Sequence, residues 1–309
     1  MLEKKKFPLV SVLMSVYDRC DYLDEAINSI LSQTYDNFEF IIVVEFSEMQ
    51  KEILKKISNY KDDRIKIISN KKKLGFSESL NVGLKAAKGK YLARMDDDDI
   101  SDVCRFEKQV SFLEQNQDID VLGSYMKFFD SSDAVCKLPF DCEILKVKCL
   151  YKTPVFHPTV MLRLDSMKKN RLLYHKTYAE DYDLWSRAIK YLKFSNFPEV
   201  LYYYRFRDDN HSVSNEFAMN DSHHNIMSYQ LREYLGLRLS FDELQILSGR
   251  IDVLGHSENL DFVYNDKISL WNKIRKANKK CLFYKDSAIL SEIEEIQNYY
   301  YLLKELRKR

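Results

Sequence analysis

The sequence predicts an α/β domain with a mainly parallel central sheet flanked by helices, continued by a helical C-terminal extension. Three observations carry this expectation. LVSVLMSV (9–16) and FEFIIVVEF (38–46) are short apolar runs with no helical period, as strands buried on both faces require. Between them Leu23, Ala26, Ile27, Ile30 and Leu31 recur at the spacing of a single helix face. That strand–helix alternation repeats until about residue 214 and then gives way to helical patterning up to Arg309.

Each element has its own signal. Asp21 is the expected N-cap of the first helix. Residues 48–60 read as a second helix and RIKIIS (64–69) as a third strand. Ser77 is expected to cap a helix running to Ala87, with Gly89 ending it. Tyr91–Met95 is the fourth strand, and a helix over 103–116 turns Phe106, Val110 and Leu113 inward. DVLGSYMKFF (120–129) is a strand, and HPTVMLR (157–163) opens with a turn and continues as one. EDYDLWSRAIKY (180–191) begins a helix, and LYYYRFR (201–207) is a late strand of the α/β unit.

Composition bounds the function. The 309 residues are 45% hydrophobic and 31% charged, ordinary for a globular chain that builds its own core. A net charge of +1 provides no global field for nucleic acid. The six cysteines form no C-x-x-C pair, which reads as free thiols in a reducing cytoplasm. MLEKKKFPLVSVLMSV mimics a signal peptide but lacks a small-residue cleavage site, so its apolar run is read as the first strand. No stretch has the roughly 18 apolar residues of a membrane span. From Asn265 onward eleven Lys or Arg face six Asp or Glu, which fits a packed helical appendage or a basic, aromatic face touching an anionic membrane.

Asp96-Asp97-Asp98-Asp99, directly after the fourth strand, is the most informative stretch. Bunched carboxylates repel one another unless a cation or solvent relieves them. Hard oxygen donors at a strand's carboxyl end suit Mg²⁺ or Mn²⁺, with phosphate completing the shell. Ligands of open parallel sheets bind at the carboxyl ends of the strands. Glu45 and the aspartates lie at such ends, and Glu180-Asp181 starts a late helix. The spacing supports metal-assisted transfer from a nucleotide, with a separate carboxylate free to act as base, and no more.

Three blocks carry a resemblance. VSVLMSVYDRCDYLDEAINSILSQTYDNFEFIIV, LGFSESLNVGLKAAKGKYLARMDDDDIS and AEDYDLWSRA together resemble family 2 glycosyltransferases, the inverting GT-A group that builds bacterial polysaccharides. The match covers about residues 7–207. It implies a catalytic domain over 1–214, with a nucleotide-sugar half to about 100 and an acceptor half over 101–214, and an extension over 215–309. It implies that Asp98, with Asp96, holds Mn²⁺ or Mg²⁺ and that Asp97 lies near the sugar or ribose. Asp181 would be the catalytic base, with Glu180 positioning it or touching the acceptor. Tyr17 and Glu45 would line the nucleotide base, Ser15 and Arg94 would border the same cleft, and Asp99 would support the metal ligands or add one. His157 and Trp185 are candidates for the acceptor side, each weighed against a turn or core role.

The chain departs from the family in two places. Where the family carries two acids and Gly-Ser, Val44-Glu45-Phe46-Ser47 stands, leaving one acid, and Phe46 either stacks on the base or fills space. Where the family carries a His after the late strand, Arg207 stands, with His211 four residues on; both are candidates for a diphosphate or metal contact. The processive signature Q-x-x-R-W is absent, which favours addition of a single sugar. The implied activity is transfer of one hexose (Gal, GalNAc, Glc or GlcNAc) from a UDP-sugar to a lipid-linked or core oligosaccharide. The expected location is the cytoplasm, with peripheral contact on the inner membrane through the basic C-terminal helices. The rival readings are a sugar-nucleotide pyrophosphorylase, whose Gly-rich loop SVYDRCDYL lacks, and a degenerate member that only binds a nucleotide-sugar or a partner.

Overall fold

The computed structural model of the protein describes residues 7–130, 132–206, 216–249 and 260–307. They form two compact units: Met1–Phe140 with Val155–Ser214, and Asp141–Pro154 with Asn215–Arg309. The segment 141–154, expected within the acceptor half, thus groups with the C-terminal helices.

The first unit is built on strands β1 (Val10–Val16), β2 (Phe38–Val44), β3 (Ile65–Ser69), β4 (Tyr91–Met95), β5 (Ile100–Ser101), β6 (Val121–Phe129), β7 (Val135–Cys136), β8 (Met161–Arg163) and β9 (Phe194–Arg205). Their order in the sheet is β3-β2-β1-β4-β8-β6-β9-β5, with β7 on β6. β1 runs parallel to β2 and β4, and β2 parallel to β3, so these four strands end on one edge. β8 is antiparallel to both β4 and β6, whereas β6 and β9 run parallel.

Helices α1 (Leu23–Leu31), α2 (Gln50–Ser58), α3 (Phe76–Ala86), α4 (Arg105–Gln115), α6 (Leu164–Lys169) and α7 (Glu180–Ala188) belong to the same unit. Continuous apolar strands and one-sided helices bury a shared core from Val10 through Ile42, Met95 and Phe106 to Tyr202. Two expected caps are displaced. Tyr22 occupies the N-cap of α1 without a side-chain bond, and Asp21 lies one residue outside. α3 starts earlier than expected because Gly75, at φ +89°, turns the chain there; Ser77 is already inside the helix and buried.

The second unit contains α5 (Cys142–Lys148), α8 (Glu216–Leu235), α9 (Phe241–Ser248), α10 (Leu260–Cys281) and α11 (Asp286–Arg307). Asp141 caps α5 by accepting from the Glu143 and Ile144 amides, and Ser240 with Glu243 forms a capping box on α9. Buried Lys148 is held 2.8 Å from both Glu292 and Glu295, and the Tyr151 hydroxyl donates to Glu292 at 2.6 Å. Removing one partner of such a buried pair would leave an uncompensated buried charge.

Candidate active site

The carboxyl edge of β2, β1 and β4 collects the residues that the sequence singled out. Val16 pairs with Val44 and Met14 with Met95, so Tyr17, Glu45 and Asp96 leave three neighbouring strands on one side of the sheet. Glu45 is only 2% exposed. Its Oε1 accepts from the Phe46 amide at 2.8 Å, and both oxygens accept from the Leu74 amide at 3.1 Å. Oε2 further accepts from the Gly75 amide at 2.6 Å and Ser79 Oγ at 3.0 Å, while Asn70 Nδ2 reaches Oε1 at 3.3 Å. Burial alone would raise its pKa, but these donors outweigh burial and hold the carboxyl below its usual range. Glu45 thereby knits the loop after β3 to the end of β2.

The aspartate corner is flanked by two buried guanidinium groups. Arg94, 2% exposed, donates to Asp96 Oδ1 at 2.5 Å and to the Met95 carbonyl. Arg205 at the end of β9 donates its amide to Asp99 Oδ1 at 2.7 Å and its Nε to the Asp98 carbonyl at 2.8 Å. The same side chain reaches Glu25 on α1 at 2.8 Å and also Asp130. The Tyr202 hydroxyl accepts from the Asp96 amide at 3.1 Å. Burial, then the neighbouring Asp98 and Asp96, push Asp97 up to about 8. Burial and the same kind of repulsion raise Asp99 well above the ordinary range.

Glu180 and Asp181 open α7, whose N-cap is Ala179; Asp181 is therefore in the first turn and is not the cap. Asp181 Oδ1 accepts from the Tyr182 amide at 2.7 Å. Burial raises the Asp181 pKa; Asp96 adds to the rise and Arg94 opposes it. Burial and the Asp181 charge push Glu180 up to about 8, with Asp96 and Arg94 acting in the same opposed senses. The fields of Asp96 and Arg94 thus reach both acids of α7, which brings the aspartate corner and the α7 acids into one electrostatic environment.

The other expected site residues fall in different places. Ser15 lies buried on β1. Trp185, a candidate for stacking on the acceptor, is 0% exposed and packs edge-on against Phe194 at 5.7 Å and His157 at 6.1 Å. Its ring is core and offers no free face, a correction that follows from its place on the inner side of α7. His157 is buried too: Nε2 sits 2.8 Å from the Tyr174 hydroxyl, and burial followed by the Arg94 charge holds its pKa well below the usual value. Asp99 is fully buried, so it braces the corner from behind. Arg207 and His211 lie outside the described residues. Arg205, Tyr202 and Arg105 were not singled out by sequence reasoning. Buried Arg105 donates to the carbonyls of Arg94 and Val160 at 2.9 and 3.2 Å, and burial lowers its pKa to about 10. An arginine closing an aromatic strand is the signal that points to Arg205 as such a counter-charge.

The donor chemistry fits a hard divalent cation. Asp96 and Asp98 present carboxylate oxygens at a strand end, partly open to solvent. Among the described residues no three His, Cys, Asp or Glu side chains converge as a preformed metal cage. Mg²⁺ and Mn²⁺ are commonly held by one or two carboxylates, with substrate phosphates and water supplying the rest.

A model of "Glycosyl transferase family 2" matches residues 11–170. The O-antigen biosynthesis glycosyltransferase WbnJ of Escherichia coli is 33% identical over 239 residues, which cover 74% of this chain and 90% of WbnJ. Among solved structures, S. aureus TarS 1–349 in complex with UDP-GlcNAc superposes with a TM-score of 0.64 at 19% identity, covering 97% of this chain and 91% of that one. The mannosyltransferase PcManGT from Pyrobaculum calidifontis, in complex with GDP-Man and Mn²⁺, gives a TM-score of 0.56 at 12% identity, over 96% and 83% of the two chains. At these identities the two structures show a shared fold. It is a curled α/β sheet with flanking helices, followed here by a helical C-terminal region.

Proposed function

The chain belongs to glycosyl transferase family 2 and is a glycosyltransferase of polysaccharide biosynthesis; from that premise we propose that it moves one hexose from a UDP-sugar, with inversion, onto a lipid-linked or core oligosaccharide. The carrying observation is the aspartate corner at the carboxyl end of β4, bonded by Arg94 and Arg205 and set on the same sheet edge as Tyr17 and Glu45. Asp98, with Asp96, would hold Mn²⁺ or Mg²⁺, which when bound neutralises charge on the diphosphate leaving group.

The chain's own residues supply the rest. Asp181 takes the proton of the acceptor hydroxyl as that oxygen bonds to the anomeric carbon and the bond to the diphosphate oxygen breaks. A carboxylate whose pKa is raised by burial is a stronger base than a solvated aspartate, and the Arg94 charge opposes the rise. Glu180, pushed up to about 8, is protonated at neutral pH and can donate a hydrogen bond to an acceptor oxygen.

Among the described residues no helix is long and apolar enough to cross a membrane. A lipid-linked acceptor would be met at the surface through the end of α11, where Tyr301, Leu302 and Leu306 are exposed beside Arg307. Cosedimentation with anionic vesicles and not with neutral ones tests that contact.

Incubation with a panel of UDP-sugars, Mn²⁺ and saccharide acceptors tests the activity, with the product anomer assigned by NMR. The expected result is one donor turned over to an inverted glycoside. Absence of hydrolysis and of transfer, together with no nucleotide binding by calorimetry, overturns it.

A further inference from the structure

Tyr174 lies in the irregular segment that leads into α7, yet it is only 3% exposed. A buried residue outside helix and sheet must find partners for its own N–H and C=O. Asn81 of α3 supplies both. Its Oδ1 accepts from the Tyr174 amide at 2.9 Å, and its Nδ2 donates to the Tyr174 carbonyl at 2.9 Å. Asparagine is a poor residue for a helix interior, and Asn81 is buried there with its amide committed to another segment. α3 itself begins just after Gly75, whose amide Glu45 holds at 2.6 Å. The clamp on Tyr174 is thus anchored to the sheet edge that also carries the aspartates.

The ring of Tyr174 is held as firmly as its backbone. Its hydroxyl lies 2.8 Å from Nε2 of His157, in the short helical turn His157–Thr159. Burial keeps the phenol protonated and, with the Arg94 charge, keeps the imidazole neutral, so the two share a hydrogen bond without net charge. His157 in turn meets Trp185 of α7 edge-on. Arg187, one turn further along α7, donates to the Leu173 carbonyl at 2.7 Å. α7 is therefore fastened to the Leu173-Tyr174 segment directly by Arg187 and indirectly through Trp185 and His157. Beyond burial, the charges of Arg94, Glu180, Asp181 and Asp96 all act on the Tyr174 hydroxyl, which places it among the groups of the site.

Resting on the reading of Asp181 as the base, we propose that Tyr174 is a positioning residue for it: gripped by Asn81 and His157, it fixes the start of α7, and with it Asp181, relative to the Asp96–Asp98 corner. General-base catalysis depends on such placement, and a misplacement of about 1 Å costs about a hundredfold in rate. Tyr174 touches neither donor nor metal in this account, so its hydroxyl affects turnover and leaves nucleotide binding alone.

The test uses the full chain with Mn²⁺. UDP release from UDP-Gal, UDP-GalNAc, UDP-Glc and UDP-GlcNAc measures turnover, and calorimetry with UDP measures binding. Tyr174→Phe keeps the ring and removes only the hydroxyl. It is expected to lower kcat about 10–100-fold while UDP affinity stays within about twofold. The same substitution in an Asp181→Asn background should cost nothing further, because a residue that acts through the base is silent once the base is gone. Asn81→Ser, which loosens the clamp from the α3 side, should show the same split and the same silence. Amide exchange over residues 173–182 should quicken in Asn81→Ser. Unchanged kcat in Tyr174→Phe, a loss shared equally by kcat and UDP affinity, or losses that multiply in the Asp181→Asn background would each overturn the proposal and spare the base. Failure of both variants to fold would make the contact structural and overturn it as well. Retained turnover in Asp181→Asn removes the base itself, and turnover of no UDP-sugar by the unsubstituted protein removes the donor reading, each taking the proposal with it.

Discussion

Arg94 sits where the charges of the site meet. Its side chain is nearly inaccessible to water, yet its charge is retained because the ion pair with Asp96 outweighs the cost of burial. Removing the guanidinium leaves Asp96 beside Asp97 and Asp98 with no counter-charge of its own. Arg94→Met is expected to destabilise the protein by about 2–4 kcal/mol, read from urea denaturation, and Arg94→Lys to recover part of that, since it restores charge without the planar fork. A neutral result for Arg94→Met would show that solvent or a bound cation carries the compensation instead. Asp181 poses a different question, because its substitution separates chemistry from binding. Asp181→Asn keeps shape and removes the base, so turnover is expected to fall by about 10²–10⁴ while nucleotide affinity by calorimetry stays unchanged. Retained turnover would exclude Asp181 as the base.

At the level of elements, the end of β9 ties the aspartate corner to distant parts of the sheet. Arg205 lies against the Tyr22 ring at 3.8 Å and reaches Glu25, the Asp98 carbonyl and Asp130 from one side chain, while its backbone amide donates to Asp99. Arg205→Met keeps the backbone bond to Asp99 but strands the two side-chain carboxylates, which are themselves half exposed. A loss of about 1–3 kcal/mol is expected, measured as a shift of the denaturation midpoint, with weaker Mn²⁺-dependent nucleotide binding. An unchanged midpoint would mean that solvent already compensates those carboxylates. This junction was not legible in the sequence, because its partners are 75 to 180 residues away along the chain. The strands themselves were legible. Continuous apolar runs such as 38–44 and one-sided helices such as α4 carry their burial in their own periodicity. Boundaries were harder. Asp21 looks like a cap but lies one residue beyond the N-cap position that Tyr22 holds, and Gly75 starts α3 through a left-handed turn that no propensity for Ser77 reveals. The segment 141–154 reads as part of the α/β unit until Lys148 is seen paired with Glu292, 144 residues on. The candidate acids were visible as motifs. Their states, and the burial of Trp185 and His157, come from packing alone.

Taken whole, the molecule is almost electrically balanced, with a formal net charge of +1, so its pH response is governed by local groups and not by global repulsion. Glu180 is the clearest of these. Its carboxyl shifts from an ordinary 4.5 to about 8 in the folded protein, first through burial and then through Asp181. A folded-state pKa above the unfolded value means that the native state binds the proton more tightly. The resulting stabilisation is complete below about pH 4.5 and is lost as pH rises through about 8. Asp181, raised by burial and by Asp96, contributes in the same direction. Buried His157, whose pKa is held low, works in the opposite sense below about pH 6.5, so the melting temperature of the metal-free protein is expected to fall between about pH 6.5 and pH 8, opposite to a protein stabilised by ion-paired carboxylates. Mn²⁺ with UDP should flatten that slope, because a cation at the aspartates offsets the charge that Asp96 exerts on the α7 acids and because ligand binding adds its own stabilisation. Glu180→Gln should lessen it without any ligand, the raised carboxyls of Asp97, Asp99 and Asp181 supplying what remains. A metal-free melting temperature that rises over this range would show that Glu180 ionises freely, and the picture of a protonated acid standing beside the base would have to be abandoned.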